Sequence, residues 1–325
     1  MLAFIARRLA ISIPVLAISS VLVFFLVVTA PGDPLGDLRL GRGDQTGAIE
    51  LRRQQLHLDE PVVERYFDWI SGAVRGDLGR SIHNEEISSL LMQRLGVTMR
   101  LVAFATIISV IIAVIIGSLS AVRPYSKFDY ASTFLAFVFF SMPVFWLAAL
   151  FKDVGIRVNK ALGARLFFTV GEETTSFSGG FVATWLDRLG HLLLPSLTLI
   201  LIQMAAWSRF QRGSMLEVLD ADYIRTARAK GLTGRRVLFR HALRNALIPV
   251  TTVVAIDFAT ILGGAVITET VFGWSGMGSL LVTALKTKDV YVVQAWLLVT
   301  AALVIVFNLL ADIIYGLLDP RIRFD

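Results

Sequence analysis

Long apolar runs broken by short charged stretches organise this chain. Six runs are apolar enough to predict membrane-crossing helices: Leu9 to Val28, Leu101 to Val122, Tyr130 to Phe151, Leu189 to Trp207, Ala246 to Ile267 and Val290 to Leu310. Pro143 and Pro195 fall inside two of them, which is tolerated where neighbouring helices satisfy the freed carbonyls. Between the first two runs, "LDEPVVERYFDWISGAVRG" places Val62, Tyr66, Trp69, Ile70 and Ala73 at helical spacing. It predicts a short amphipathic helix with Pro61 in its first turn, Asp59 or Glu60 as cap, and Gly72 and Gly76 as stops. Such a helix lies on the membrane surface or on the outer ends of the spans, or forms part of a platform for an extracytoplasmic partner.

Composition agrees with a membrane protein, because 55% of the 325 residues are hydrophobic and only 17% are charged. Arg7 and Arg8 precede an apolar run ending in Val28-Thr29-Ala30, which has the look of a signal peptide. The run is longer than a secretory apolar region, so an uncleaved first helix is expected. The chain has no cysteine, which excludes disulfides, thiolate metal sites and thiol catalysis.

Charge orients the spans. Arg7 and Arg8, Arg123 and Lys127, the stretch from Arg209 and Arg212 onward, and Arg321 and Arg323 all fall on one side of six spans. By the positive-inside rule that side is cytoplasmic, and both termini lie there. The net charge of +6 is then an inside-positive bias, with no nucleic acid needed to explain it. Residues 31–96, with acidic groups from Asp33 through Asp37 and Asp44 to Glu86 offsetting the arginines, form an outer segment. The expected organisation is 1–30 for the N-terminus and first helix, 31–96 outside, 97–318 as the core with an inner loop at 209–245, and 319–325 as a cytoplasmic tail. Outside, "FFTVGEETTSFSGGF" reads as a loop. In "ETVFGWSGMGSLL", Gly273, Gly276 and Gly278 beside Phe272 and Trp274 suit either a re-entrant segment or simple interfacial anchoring.

The densest charge lies in "DYIRTARAKGLTGRRVLFRHALRNALIP", with Arg225, Arg228, Lys230, Arg235, Arg236, Arg240 and Arg244 and no acid after Asp222. Gly231-Leu232-Thr233-Gly234 divides it into two helical patterns. The first, Ala221 to Lys230, sets Tyr223, Ala227 and Lys230 on one side and is too short to be stable alone. In the second, Arg236, Arg240 and Arg244 form a basic stripe, and Phe239, Ala242, Leu243 and Ala246 an apolar one. A loop resting on anionic lipid explains the charge; a docking element for a soluble subunit also explains the glycine turn and the small alanines. Composition does not choose between them. A helix-turn-helix for DNA does not suit a loop between two spans.

Catalytic chemistry is missing from the sequence. There is no Gly-x-x-x-x-Gly-Lys-Ser/Thr loop to cradle ATP phosphates. His57, His83, His191 and His241 stand far apart, without metal-ligand spacing. The polar groups that draw interest are in the spans. Asp257 lies near the middle of the fifth, where a carboxylate costs about 2.5–3.5 kcal/mol. With Gln203 of the fourth it is a candidate for lining a pathway through the spans, facing protein or water instead of lipid. A hydrogen bond to a neighbour such as Thr252 or Ser208 is the simpler account.

"DYIRTARAKGL" followed by "HALRNALIPV" resembles the cytoplasmic loop of B-type permease subunits of binding-protein-dependent ABC importers of the oligopeptide, dipeptide and nickel group. The resemblance runs through "ARRL", "PGDP", "RGDLGRSI", "SMPVFW", "GGAVITETVFGWSGMG" and "LLDPRIR", in order along the whole chain. Importers at large carry Glu-Ala-Ala in this loop; aligned on Gly231, this chain has Arg225, Thr226 and Ala227, the form usual in the peptide group. Ser275 stands where the family commonly has proline. The resemblance implies an all-α fold of the type I importer permease kind. It implies that Ala221, Asp222, Tyr223, Arg225, Thr226, Ala227, Arg228, Ala229, Lys230 and Gly231 form a coupling helix seated in an ATPase cleft. Glu269, Phe272, Trp274 and Gly276 would mark an external re-entrant segment. The implied partners are a second homologous permease subunit, two ATP-binding cassette domains carrying ATP and Mg, an extracytoplasmic peptide-binding protein, the peptide and membrane lipid. This chain would itself bind no cofactor and no metal and catalyse nothing. A stand-alone proton-coupled transporter would need internal repeats and a relay of buried acids and bases, whereas only Asp257 is deeply placed. A structural anchor would leave the glycine-rich outer features unexplained.

Overall fold

The structure, a computed structural model, describes residues 2–29, 46–55, 58–175 and 179–318. Outside these lie several groups named above: the "PGDP" stretch with Asp33, Asp37 and Asp44, then His57, and the tail with Arg321 and Arg323. Among the described residues the regular elements are all helical: α1 (Leu2–Val28), α2 (Thr46–Gln55), α3 (Val62–Val74), α4 (Ile87–Val122), α5 (Lys127–Ser141), α6 (Val144–Leu162), α7 (Phe181–Leu219), α8 (Asp222–Ala229), α9 (Leu243–Gly264), α10 (Val266–Phe272), α11 (Met277–Lys286) and α12 (Val290–Leu318). Four helices (α1, α4, α7 and α12) are long and apolar enough to cross a membrane, and the bent pair α5 and α6 makes a fifth span if counted together. The expected run from Ala246 to Ile267 is α9, which contains Pro249 and stops at Gly264.

The two prolines inside expected spans behave differently. Met142 takes an extended conformation (φ −77°, ψ 130°), as a residue before proline tends to. The run expected to be one helix therefore breaks there, and α5 and α6 meet at 101°. Pro195 stays inside the continuous α7, where it is buried.

The chain divides into two compact units, one drawn from Met1–Thr98 and Ser275–Val306, the other from Met99–Trp274 and Phe307–Asp325. In the first, Ile87, Leu91, Met277, Ala284, Val292, Val293, Ala295 and Trp296 make the core. α3 packs on α1 through Tyr66 and Trp69 against the ring of Phe24, and Tyr66 shares a 2.9 Å hydrogen bond with Ser20. That settles which face of the amphipathic helix is covered. Pro61 itself occupies its N-cap position, without a side-chain cap; Asp59 is instead held by Arg53 Nε at 2.7 Å. The stops are as expected, with the N–H groups of Arg75 and Gly76 bonded to the carbonyls of Gly72 and Ala73. Buried Asp289 accepts from the N–H groups of Ile82 (3.1 Å) and Val292 (3.3 Å), yet burial outweighs these bonds and pushes its carboxyl above the ordinary range.

In the second unit α7 is the central element, packed by α5, α6 and α9. Its contact with α4 is close: a Cβ on Gly117 would sit 2.5 Å from the carbonyl oxygen of Ser208. Gly117 therefore lets the two backbones touch, the usual role of small residues between membrane helices.

Candidate functional site

The basic loop begins where α7 ends. Ala221 is extended (φ −67°, ψ 146°) and starts α8, which carries Asp222 in its first turn and Arg228 in its last, each sign matched to its end of the helix dipole. Gly231, at φ +77°, closes α8 in a conformation glycine adopts without strain, its N–H bonded to the Arg228 carbonyl at 3.0 Å. Eight residues do not hold a helix in water; packing does. Ile224 (0% exposed) and Ala227 sit in a cluster with Ala121, Met215, Val237, Ala242 and Ala246, and burying the isoleucine contributes about 1.5–3 kcal/mol. The side that packs is thus Ile224 with Ala227. Asp222, Tyr223, Arg225, Thr226, Arg228, Ala229, Lys230 and Gly231 are exposed. Tyr223 and Lys230, expected on one side with Ala227, belong to this outer face.

Downstream, the expected regular helix is interrupted by a π-helical turn at Val237–Ala242. Its wider i→i+5 spacing buries both Val237 and Ala242, five positions apart. Ala246 is buried as expected. Phe239, expected on the apolar stripe, is 59% exposed and shares a shallow concavity with Thr233, Arg235, Arg236 and Arg240. Arg236, Arg240 and Arg244 all face outward.

Next to this loop lies a group the sequence reading missed. Asp129, 3% exposed, receives Arg212 Nε at 2.7 Å and Nη2 at 2.8 Å. The N–H of Tyr125 adds a bond at 2.8 Å, and the Ser120 hydroxyl also bonds it. Ser126 caps α5 by accepting from the Asp129 N–H. That Ser-x-x-Asp pattern at a helix start was the available signal; Arg212 was counted only as part of the positive stretch.

The span candidates are both on the inner faces of unit two, without a hydrogen bond between them. Asp257 is half-buried and accepts from Trp207 Nε1 at 2.7 Å. Its partner is therefore Trp207, where Thr252 and Ser208 had been expected; those hydroxyls bond the carbonyls of Ile248 and Ala205 in their own helices. An indole is a donor only, so the carboxylate is its natural complement. Gln203, one turn from Trp207, is buried, and neither its Nε2 nor its Oε1 makes a hydrogen bond.

The expected external segment divides between the two units. In unit two, Glu269, Phe272 and Trp274 are each at most 2% exposed. Trp274 N–H bonds the Glu269 carbonyl at 2.8 Å, Gly171 N–H bonds the Phe272 carbonyl at 2.9 Å, and Lys152 donates to the carbonyl of Val271. In unit one, Gly276 is the N-cap of α11. The turn there is held by three bonds: Arg94 Nη1 to the Ser275 carbonyl (2.9 Å), Met277 N–H to Thr98 Oγ1 (2.8 Å), and Trp296 Nε1 to the Met277 carbonyl (2.8 Å).

Long apolar helices that carry a few polar groups, with a short cationic helix held on the bundle, define a multi-pass membrane protein. The chain belongs to the binding-protein-dependent transport system inner membrane component family, whose model matches residues 113–324, while the model of the family's N-terminal region matches residues 1–102. It is 42% identical over 322 residues to the oligopeptide transport system permease protein OppB of Mycobacterium tuberculosis (strain ATCC 25618 / H37Rv), with 98% of each chain covered. Over 336 residues it is 38% identical to the dipeptide transport system permease protein DppB of Escherichia coli (strain K12), covering 99% of each. The MetNI methionine ABC transporter, solved in inward facing conformations, shares its fold with a TM-score of 0.51 at 16% identity, over 71% of this chain and 96% of that one. The family's members are permease components; this chain is a permease subunit.

Proposed function

We propose that this chain forms half of the translocation pathway of an ATP-driven importer of oligopeptides or dipeptides, the cargo classes named for its OppB and DppB relatives. A second permease chain completes the pathway, two ATPase domains bind ATP and Mg and supply energy, and an extracytoplasmic binding protein delivers the peptide. Both termini are cytoplasmic, and the basic loop lies on the same side. Asp257 and Gln203 border the route of the cargo, and residues 269–276 form its external segment.

The observation that carries this reading is α8. One face, Ile224 with Ala227, is anchored in the chain's own core, and the other, with Tyr223, Arg225, Arg228 and Ala229, stands exposed. A lipid-resting loop needs positive charge; it does not need a helix fixed in one orientation by a buried isoleucine. A helix held on one face and open on the other supports the reading that a partner grips it. The exposed Arg225, Arg228 and Lys230 suit an acidic surface on that partner.

Because the chain lacks cysteine, Ala229→Cys introduces a single thiol on that face. In native membranes, a short thiol-to-amine crosslinker is expected to join it to a protein carrying a phosphate-binding loop, identified by mass spectrometry. A thiol that reacts with soluble maleimide yet yields no ATPase adduct would remove α8 from the coupling role.

A further inference from the structure

The contacts around α8 continue upward without a gap. Ile224 and Ala227 pack on Met215 of α7 and Ala121 of α4. One turn back from Met215, Arg212 grips Asp129 of α5; next to Ala121, the Ser120 hydroxyl bonds the same carboxylate. Gln211 Nε2 donates to Ser118 Oγ at 3.1 Å, and Gly117 lies against the Ser208 carbonyl. Three helix ends, those of α4, α5 and α7, thus meet at one carboxylate immediately behind the cluster that seats α8.

Asp129 is buried in this pair, while the Arg212 side chain keeps 28% of its surface exposed. Replacing a largely buried pair by apolar side chains of similar size often costs little stability. What it supplies is direction. A guanidinium fork on a carboxylate fixes distance and angle together, while the Tyr125 N–H, presented by a residue at φ 61°, and Ser120 occupy the remaining acceptor sites. Apolar contacts between α7 and α5 could slide; this joint cannot without leaving Asp129 uncompensated.

We propose that Asp129 and Arg212 are positioning residues for energy coupling: they lock the ends of α4, α5 and α7 into one rigid block, so that displacement of α8 moves the spans instead of flexing the loop. The proposal rests on α8 being the element held by the ATPase. The clamp touches neither cargo nor nucleotide. It acts by making the block stiff enough to pass a displacement of α8 on to the spans, through packed side chains and hydrogen bonds.

The test uses the complete transporter in proteoliposomes with its ATPases and binding protein, the latter loaded from a tripeptide library. ATP hydrolysis and peptide uptake are measured together for Asp129→Asn, Arg212→Lys and the exchange Asp129→Arg with Arg212→Asp. Arg212→Lys keeps the charge and gives up the fork, so it is the variant least exposed to misfolding. Each single variant, selected for normal assembly by gel filtration, is expected to keep the Ala229→Cys crosslink and to hydrolyse ATP, with peptide taken up per ATP falling about fivefold or more. The exchange variant is expected to recover part of that loss. Unchanged uptake per ATP in assembled Arg212→Lys and Asp129→Asn complexes would overturn the proposal. Loss of uptake and hydrolysis in equal proportion, with the ratio preserved, would also overturn it. Absence of the crosslink in the otherwise native chain would instead strike at the reading of α8, leaving a different signature.

Discussion

Asp257 carries two separable roles, and they make different demands on the side chain. The first is acceptor for the Trp207 indole, 2.7 Å away; the second is a negative charge partway along an apolar helix, on a side chain that is only half-buried. Asparagine preserves the first and deletes the second, whereas leucine deletes both. Asp257→Leu strands an indole N–H, and the unsatisfied donor is expected to cost about 1–3 kcal/mol, read as a lower Tm in detergent. Asp257→Asn is expected to leave Tm close to that of the parent while lowering peptide uptake, because on the proposed route a cationic peptide terminus would lose its counter-charge. Full uptake with asparagine would show that the residue serves structure alone. The carboxylate was legible in the sequence because charge is rare in such a run. Its partner was not, since Trp207 looks like any other large apolar residue of a span, and fifty positions separate the two. Asp129 was hidden for the opposite reason: it sits among charged residues at the end of a run, where a carboxylate attracts no notice until Arg212 is seen folded onto it.

At the scale of elements, hydropathy located most of the helices and misjudged how they bend and end. Lengths and breaks depend on backbone geometry that periodicity does not carry. The Met142-Pro143 step turns one expected span into two helices, while Pro195 leaves α7 whole; the same residue type gives opposite outcomes because the conformation of the preceding residue differs. The π-helical turn at 237–242 was equally invisible, since it changes spacing by one residue and so shifts Phe239 out of the face where a regular helix would bury it. The short helix α8 was legible as an element, from its glycine turn and its motif, but the face it presents was not. Close helix contacts were also out of reach of the pattern. Gly117 reads as a neutral small residue, yet a methyl group there meets the Ser208 carbonyl at 2.5 Å. Gly117→Ala is therefore expected to push α4 from α7 and to destabilise the chain by about 1–3 kcal/mol, with Ser118 and Gln211 losing their bond. Thermal unfolding in detergent measures the first effect. A Tm equal to that of the parent would mean the two helices yield at no cost.

For the molecule as a whole, the positive-inside rule predicts the sidedness, and single cysteines in the native cysteine-free background test it directly. Exposed Tyr125 (77%) and Leu166 (58%) belong to loops expected on opposite sides. Tyr125→Cys is expected to react with an impermeant maleimide only in inside-out vesicles, and Leu166→Cys only in right-side-out ones; the reverse pattern would invert the topology. The bend between α5 and α6 then has a consequence for how the chain is made. At about 1.5 Å per residue, the 15 residues of α5 reach roughly 22 Å, short of a hydrocarbon core of about 30 Å. When this segment leaves the ribosome it is shorter than a full span and ends in a corner at Pro143, where lipid supplies no hydrogen bonds to the backbone. The element that packs on both halves, α7, is synthesised later. The corner therefore gains that packing only once α7 has been made, and residues 127–219 are expected to settle in the membrane together.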